Sequence, residues 1–335
     1  MLKLLKPFFG GRETVGRYPE TLIRRATDRV VEGTDPRLNL LSGYRKKLRQ
    51  PVVHAIDHIV SLVDGFPEPI ETNAENYGDT PLLRALFSSP SRMLELLGED
   101  INLNRFIREN AVRSGTIRAL LLAQHTTRKV MGNELVEGRV HRDVVQRVAS
   151  FTEYRLVGLA PNQEKARSEM GSRAFNHLLE LALEEIAAMQ EQRESLNRQR
   201  SLLRRKRRAL DHGSWSFEKT RSLTQTDATS LESELEEIEK QLRALGSSDR
   251  TLASHLDIDG RVLSQAEQHL WKEDMVLHLD QMNIERDANH GSARELRFQL
   301  LRNSQGARLI ALPVLIPVDK LPKTGNYISE AKKYL

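Results

Sequence analysis

Hydrophobic positions between Phe175 and Leu245 recur at alternating steps of four and three. In the first half the slots hold Phe175, Leu179, Ala182, Ile186, Met189, Leu196, Leu203 and Leu210, with Arg193, Arg200 and Arg207 interleaved among them. The second half repeats the pattern from Phe217 through Leu231, Leu235, Ile238 and Leu242 to Leu245. Such spacing lays one stripe along a helix, where a partner helix covers it. Asp211-His212-Gly213-Ser214, between the two series, is polar and carries a glycine, as a reversal needs. The expected element is a long antiparallel coiled-coil hairpin over 171–248.

Upstream the pattern is helical as well. Leu22, Ile23, Ala26, Val30 and Val31 share a face behind Pro19, and Gly33 closes that helix. Leu38, Leu41, Tyr44 and Leu48 predict a second helix opened by Asp35-Pro36, which Pro51 should kink or divide. The pattern continues from Val52 to Val63, a loop spans 65–81, and shorter helices follow at 80–88 and 90–98. Phe106, Ile107, Ala111, Ile117, Leu120 and Leu121 predict a helix over 100–127. Near Arg128 the character changes, and valine-rich stretches at 130–136, 140–151 and 154–159 predict strands. Beyond the hairpin the pattern reads as a helix over 261–273 and a strand over 276–284. A β-hairpin of 295–302 and 307–316 turns at Asn303-Ser304-Gln305-Gly306. Pro313 then belongs on an edge strand or at a bulge.

The expected fold class is α+β, predominantly helical. A helical domain covers 1–127, and a small α+β unit with an antiparallel sheet combines 128–170 with 249–318. The coiled-coil hairpin is inserted over 171–248 as an arm, and 319–335 is a flexible tail. The economical topology draws strands from both sides of the arm into one sheet.

Composition narrows the function. The chain of 335 residues has no cysteine, which removes disulfides, thiolate metal sites and cysteine nucleophiles and fits a cytoplasmic location. No run approaches the roughly 20 apolar residues that span a bilayer. The apolar stretch at Met1–Phe9 is broken by Lys3 and Lys6 and is too short for a signal peptide. A net charge of +5 allows acidic partners without requiring them.

Motif letters without their context carry no chemistry. His141-Arg142-Asp143 matches the protein-kinase catalytic loop, but Val148 stands where that loop needs its metal-binding asparagine. His54 and His58 lie one helical turn apart beside Asp57, a spacing that chelates metal only when further ligands converge. Leu321–Gly325 spells a cell-wall sorting pentapeptide, yet Asn326–Leu335 is polar. No glycine-rich phosphate loop or nucleophile elbow is present, so no catalytic residue is assigned and no cofactor or metal is expected.

The strongest feature is a run of cations. Arg204-Arg205-Lys206-Arg207-Arg208 lies near the end of the first arm, with Arg198 and Arg200 below it. Five consecutive positive residues surround a helix on all sides. A fold about Gly213 sets Arg193 near Glu234 and Arg200 near Asp227, with 204–208 facing 219–223, which holds no acid. Two roles follow. The chain is a non-enzymatic scaffold that docks a protein partner, or a second copy of itself, through the arm. Alternatively, the arginines at the tip bind the backbone of RNA or DNA. An enzyme without a recognisable motif is the remaining class.

Overall fold

The computed structural model describes residues 18–136, 139–212, 221–245 and 248–322, and their side chains except at 134–140, 209–228 and 246–250. In chain order the first elements are α1 (Glu20–Gly33), a 3-10 turn (Pro36–Leu40), α2 (Tyr44–Asp64) and β1 (Ile70–Glu71). Four short helices follow: α3 (Ala74–Asp79), α4 (Pro81–Leu86), α5 (Pro90–Glu99) and α6 (Ile101–Glu109). Two long strands, β2 (Thr116–Val136) and β3 (Arg139–Ala160), lead to the long helices α7 (Gln163–His212), α8 (Arg221–Ala244) and α9 (Ser248–Ser264). The one-turn α10 (Ala266–His269) then opens β4 (Leu270–Leu279), β5 (Arg294–Asn303) and β6 (Arg308–Pro317). Contacts divide the chain into two compact units. One joins Ile56–Phe175 to the described part of Glu267–Leu335, and the other joins Asn176–Ala266 to the described part of Gly16–Ala55.

The first unit is built on one six-stranded sheet in the order β3-β2-β6-β5-β4, with β1 added in parallel to β6. Every other pairing is antiparallel, so strands from before and after the long helices share the sheet. The two end strands of that order are joined through Asn283–Glu285. Ala149 N donates to Asn283 O at 2.8 Å and Glu285 N to Arg147 O at 2.7 Å on the β3 side. On the β4 side Arg286 N donates to His278 O at 2.9 Å. These bonds link the two ends of the sheet into a barrel at residues 147–149 of β3 and 278–279 of β4 and cover that part of the edges an open sheet exposes to other chains.

Side-chain alternation fills it. Ile117, Ala119, Leu121 and Ala123 of β2 point inwards with Leu296, Phe298 and Leu300 of β5 and Ile310 and Leu312 of β6. The Phe151 and Phe298 rings meet at 5.4 Å between centroids. Leu83, Met93, Leu97 and Leu103 bring α4, α5 and α6 onto the same core.

Several expectations change here. The helix expected over 100–127 ends at Glu109, and β2 starts at Thr116 after a left-handed Gly115 (φ 97°). Its apolar run looked helical because β2 is buried on both faces: the odd positions enter the barrel, while Leu120 and Leu122 pack outside against Ala311. A doubly buried strand shows no alternation to read. The helix expected over 261–273 stops at His269, and the strand placed at 276–284 is Leu270–Leu279, held along its length by β5. Pro36–Leu40 is a 3-10 turn, and α2 runs unbroken through Pro51. Pro313 sits in β6 between two partners: the β5 ladder ends at Ile310 and the β1 ladder begins at Val314. The missing donor thus falls where the ladder changes hands.

In the second unit, α1 presents Ala26, Val30 and Val31, all but fully buried, and α7 supplies Leu178, Ala182 and Ile186. A side chain on Gly33 would come within 3.0 Å of Leu179 Cδ1, so the end of α1 lies close against α7. Leu256, Val262 and Leu263 of α9 complete this core. The tail expected over 319–335 starts as a 3-10 turn, Val318–Lys320, with Leu321 packed on the core; its remainder over 323–335, and the reversal assigned to Asp211–Ser214, lie outside the described residues and side chains.

Truncating the ring at the barrel centre tests which contacts hold the first unit. Phe298 is 1% exposed. Phe298→Ala should cost about 3–5 kcal/mol in denaturant unfolding, the range for a buried aromatic leaving a cavity.

Candidate functional site

Named contacts set α9 antiparallel to α7 and place Arg204 of α7 beside Glu239 of α8. Moving outwards along α7, Glu185 meets Arg261, Gln190 meets His255, Arg193 bonds Thr251, and Arg204 Nη2 donates to Glu239 Oε1 at 2.7 Å. Burial follows the three-and-four spacing: Leu196, Leu203 and Leu235 are buried, and Leu231, Ile238 and Leu242 are half-buried. The register differs from a fold about Gly213. Arg193 faces Thr251 rather than Glu234, and Arg204 faces Glu239 rather than 219–223. The glycine marked a plausible reversal, but the packing of α9 and the Arg204 pair set the alignment.

That shift changes the electrostatics of the cationic run. An antiparallel continuation from the Arg204–Glu239 pair would set 205–208 opposite 235–238, a stretch that carries Glu236 and Glu237. The expectation that no acid faces the cluster is corrected at Arg204, which pairs with Glu239. Arg198 is exposed, with Glu194 of its own helix at 3.9 Å. Arg200 is half-buried in a seam slot, and Arg205, Lys206, Arg207 and Arg208 are exposed. Exposed pairs of this kind contribute about 0.2–1 kcal/mol each. They tune the surface charge more than they hold the helices together.

A buried polar network lies at the base of the arm, within the same unit. Asp35 precedes the 3-10 turn and accepts from Arg37 Nε and Nη2 at 2.9 and 2.8 Å. His255, wholly buried on α9, places Nδ1 2.8 Å from Asp35 Oδ2 and Nε2 3.4 Å from the Gln190 amide nitrogen. This geometry fits a proton on Nδ1, donated to the carboxylate, with Nε2 accepting from Gln190. The Arg37 guanidinium holds Asp35 well below the usual carboxylate range; burial opposes this and the His255 bond adds to it.

Asp259, one helical turn beyond His255, behaves in the opposite way. Burial pushes its carboxyl up to about 7, the Thr34 hydrogen bond lowers it, and the charge of Asp35 raises it. Thr34 Oγ1 lies 2.9 Å from both Val30 O and Asp259 Oδ2. One hydroxyl proton serves one acceptor at a time, so Thr34 divides its single donor between the carbonyl and the carboxyl. The sequence carried a signal for this network. His255 and Asp259 fall in phase with Leu252, Leu256, Val262 and Leu263, on the apolar stripe of α9.

His58 Nε2 is 2.6 Å from Leu270 O, and His54 is exposed. Among the described residues no group of three or more metal-ligating side chains converges. His141 and Arg142 are exposed on β3. Among the described residues no helix is long and apolar enough to cross a membrane. Compared with known proteins, the chain matches no family model, no curated protein and no solved structure.

Stability should depend on pH through Asp259. A carboxyl whose folded pKa is raised stabilises the fold fully below its unfolded value near 3.8, and that stabilisation is lost as pH rises through about 7. Asp35 acts inversely, stabilising above the unfolded value and failing only in strong acid. Asp259→Asn copies the neutral carboxyl. Between pH 5 and 8, urea unfolding followed by helical circular dichroism should show the wild type losing on the order of 2–4 kcal/mol relative to the variant. Parallel pH profiles would rule out a buried neutral Asp259.

Proposed function

We propose that this protein is a non-enzymatic docking protein, in which α7 and α8 pair as an antiparallel coiled-coil hairpin and present its outer half to a protein partner. The observation that carries this reading is the Arg204–Glu239 pair with the register it sets. In the proposed hairpin a basic run lies beside an acidic one, a mixed-charge surface suited to a specific protein contact. A thin seam of leucines supports a long, exposed outer stretch: Leu202, on the outside, is 55% exposed. An arm of this kind is mostly surface, and surface is what docking uses.

The nucleic-acid reading rests on the same cations, Arg198, Arg200, Arg204, Arg205, Lys206, Arg207 and Arg208, acting on phosphates. It is the weaker of the two, because a phosphate backbone would compete with the glutamates of α8 for those guanidinium groups. The partner as a second copy of the chain is the form of docking that purified protein tests first.

The discriminating experiment is a titration with RNA and duplex DNA across ionic strength. It compares the wild type with a variant in which residues 204–208 are all changed to glutamine. Docking predicts weak nucleic-acid binding that the five substitutions barely alter. Tight binding with a steep salt slope that the variant loses would replace this reading with the nucleic-acid one. Sedimentation equilibrium on the same two samples reads self-association through the arm.

A further inference from the structure

A cleft of about 1000 Å³ opens in the barrel unit between α4, α5, the strand stretch 148–154 and the turn 279–283. Its lining includes Arg84 of α4, Arg92 of α5, Arg128 of β2 and Arg294 of β5. Arg92 is tethered to Glu95 at 3.2 Å. Among the described residues, no carboxylate lies within ion-pair distance of Arg84, Arg128 or Arg294. The acids in the lining, Glu153 and Asp280, are committed elsewhere. Asp280 accepts the backbone N–H groups of Met282 and Ile284 at 2.9 and 3.0 Å, and Arg286 Nε at 3.0 Å. Gln124, with its amide turned to suit the network, donates to Glu153 at 3.1 Å.

The walls are rigid for identifiable reasons. Tyr77 donates to Phe87 O at 2.8 Å, and the Tyr154 hydroxyl bonds Leu86 O, so two phenols cap carbonyls at the end of α4. Burial pushes the Tyr154 hydroxyl up to about 12, so it remains a donor. Asn283 and Glu153 both hold left-handed backbone, at φ 58° and 53°, and both line the cleft. Asn283 is fixed there by donating from Nδ2 to Ala85 O at 2.8 Å. Glu153 stands at the register shift of the β2–β3 ladder. Strained backbone held by its surroundings gathers at ligand sites.

Charge then selects the ligand. A guanidinium keeps its proton at any physiological pH, and Arg84 is partly buried, where an uncompensated charge is costly. With the exposed Arg128 and Arg294 it brings three guanidinium groups from three different elements, which match a polyanion better than a single carboxylate. Their planar forks suit phosphate oxygens. Met282, 77% exposed, and the half-buried Leu96 line the same cleft and offer an apolar wall to an organic body. The volume lies at the upper end of the range for small-molecule sites.

We propose that this cleft binds an organic polyphosphate the size of a nucleoside diphosphate, with Arg84, Arg128 and Arg294 on the phosphates and the apolar wall against the organic part. The site is independent of the arm and of the docking role.

Isothermal titration calorimetry on the full chain at about 150 mM salt, where surface charges are screened beyond ~8 Å, tests it. The probes are ADP, AMP, adenosine, inorganic pyrophosphate and oligo-glutamate. ADP should bind most tightly and adenosine not at all. Arg84→Gln and the more exposed Arg294→Gln should each weaken ADP about tenfold, the effect of about 1.4 kcal/mol. Arg105→Gln, an exposed charge on α6, should leave ADP affinity unchanged. The proposal is overturned by no ADP binding at about 1 mM, a concentration matching only ~4 kcal/mol of affinity. It is overturned equally if Arg294→Gln binds ADP as the wild type does, if pyrophosphate binds as tightly as ADP, or if oligo-glutamate is preferred.

Discussion

The barrel unit depends on three residues that close it. Asn283–Glu285 hydrogen-bond to β3 on one side, and Glu285 pairs with Leu279 of β4 on the other. That segment covers residues 147–149 of β3 and the end of β4, where backbone groups would otherwise be open to a passing strand. The same turn also carries Asn283, whose side chain reaches Ala85 O. Closing the barrel and seating α4 upon it are thus one structural act, and the arginine-lined cleft is the space left between them.

In the long-helix unit the equivalent constraint is the register of α7 against α8 and α9. Apolar packing alone fixes it weakly, because a leucine seam tolerates a slip of one heptad at small cost. Polar contacts at distinct positions do not. The buried His255–Asp35 pair, with Gln190 on the other ring nitrogen, accepts one alignment. A buried network of this type contributes less to net stability than to uniqueness, since every member must be satisfied together. Asp259 belongs to the same layer, and its protonation removes what would otherwise be a second negative charge beside Asp35.

These two constraints bear on function in different ways. The Arg204–Glu239 pair gives the cationic run an acidic neighbour, which supports the docking role proposed above over phosphate binding. The barrel leaves uncompensated arginines in a concave, rigid setting, where cations meet small anions rather than long flexible partners. One chain therefore offers an exposed surface in one unit and a concave site in the other.

Much of this was legible in the residues. The three-and-four spacing marked Leu196, Leu203 and Leu235 as covered positions, and they are buried. The Asn303–Gly306 turn announced the β5–β6 hairpin, because local turn chemistry and alternation agree there. The sharing of one sheet by strands on both sides of the long helices was inferred from their order along the chain. What failed did so for tertiary reasons. Ile117–Ala123 reads as a helix until both of its faces are seen to be covered, and Leu270–Trp271 continues a helical pattern until β5 claims it. Proline at 51 does not break a helix whose missing donor the surrounding structure accommodates. The arginines of the cleft lie 210 positions apart at the extremes, Arg84 and Arg294, and no pattern along a chain brings them together. Local spacing determined which faces would be buried. Only the closed barrel and the packed helices decided which distant charges share a site, because that depends on register and closure, and both are set by contacts far apart in sequence.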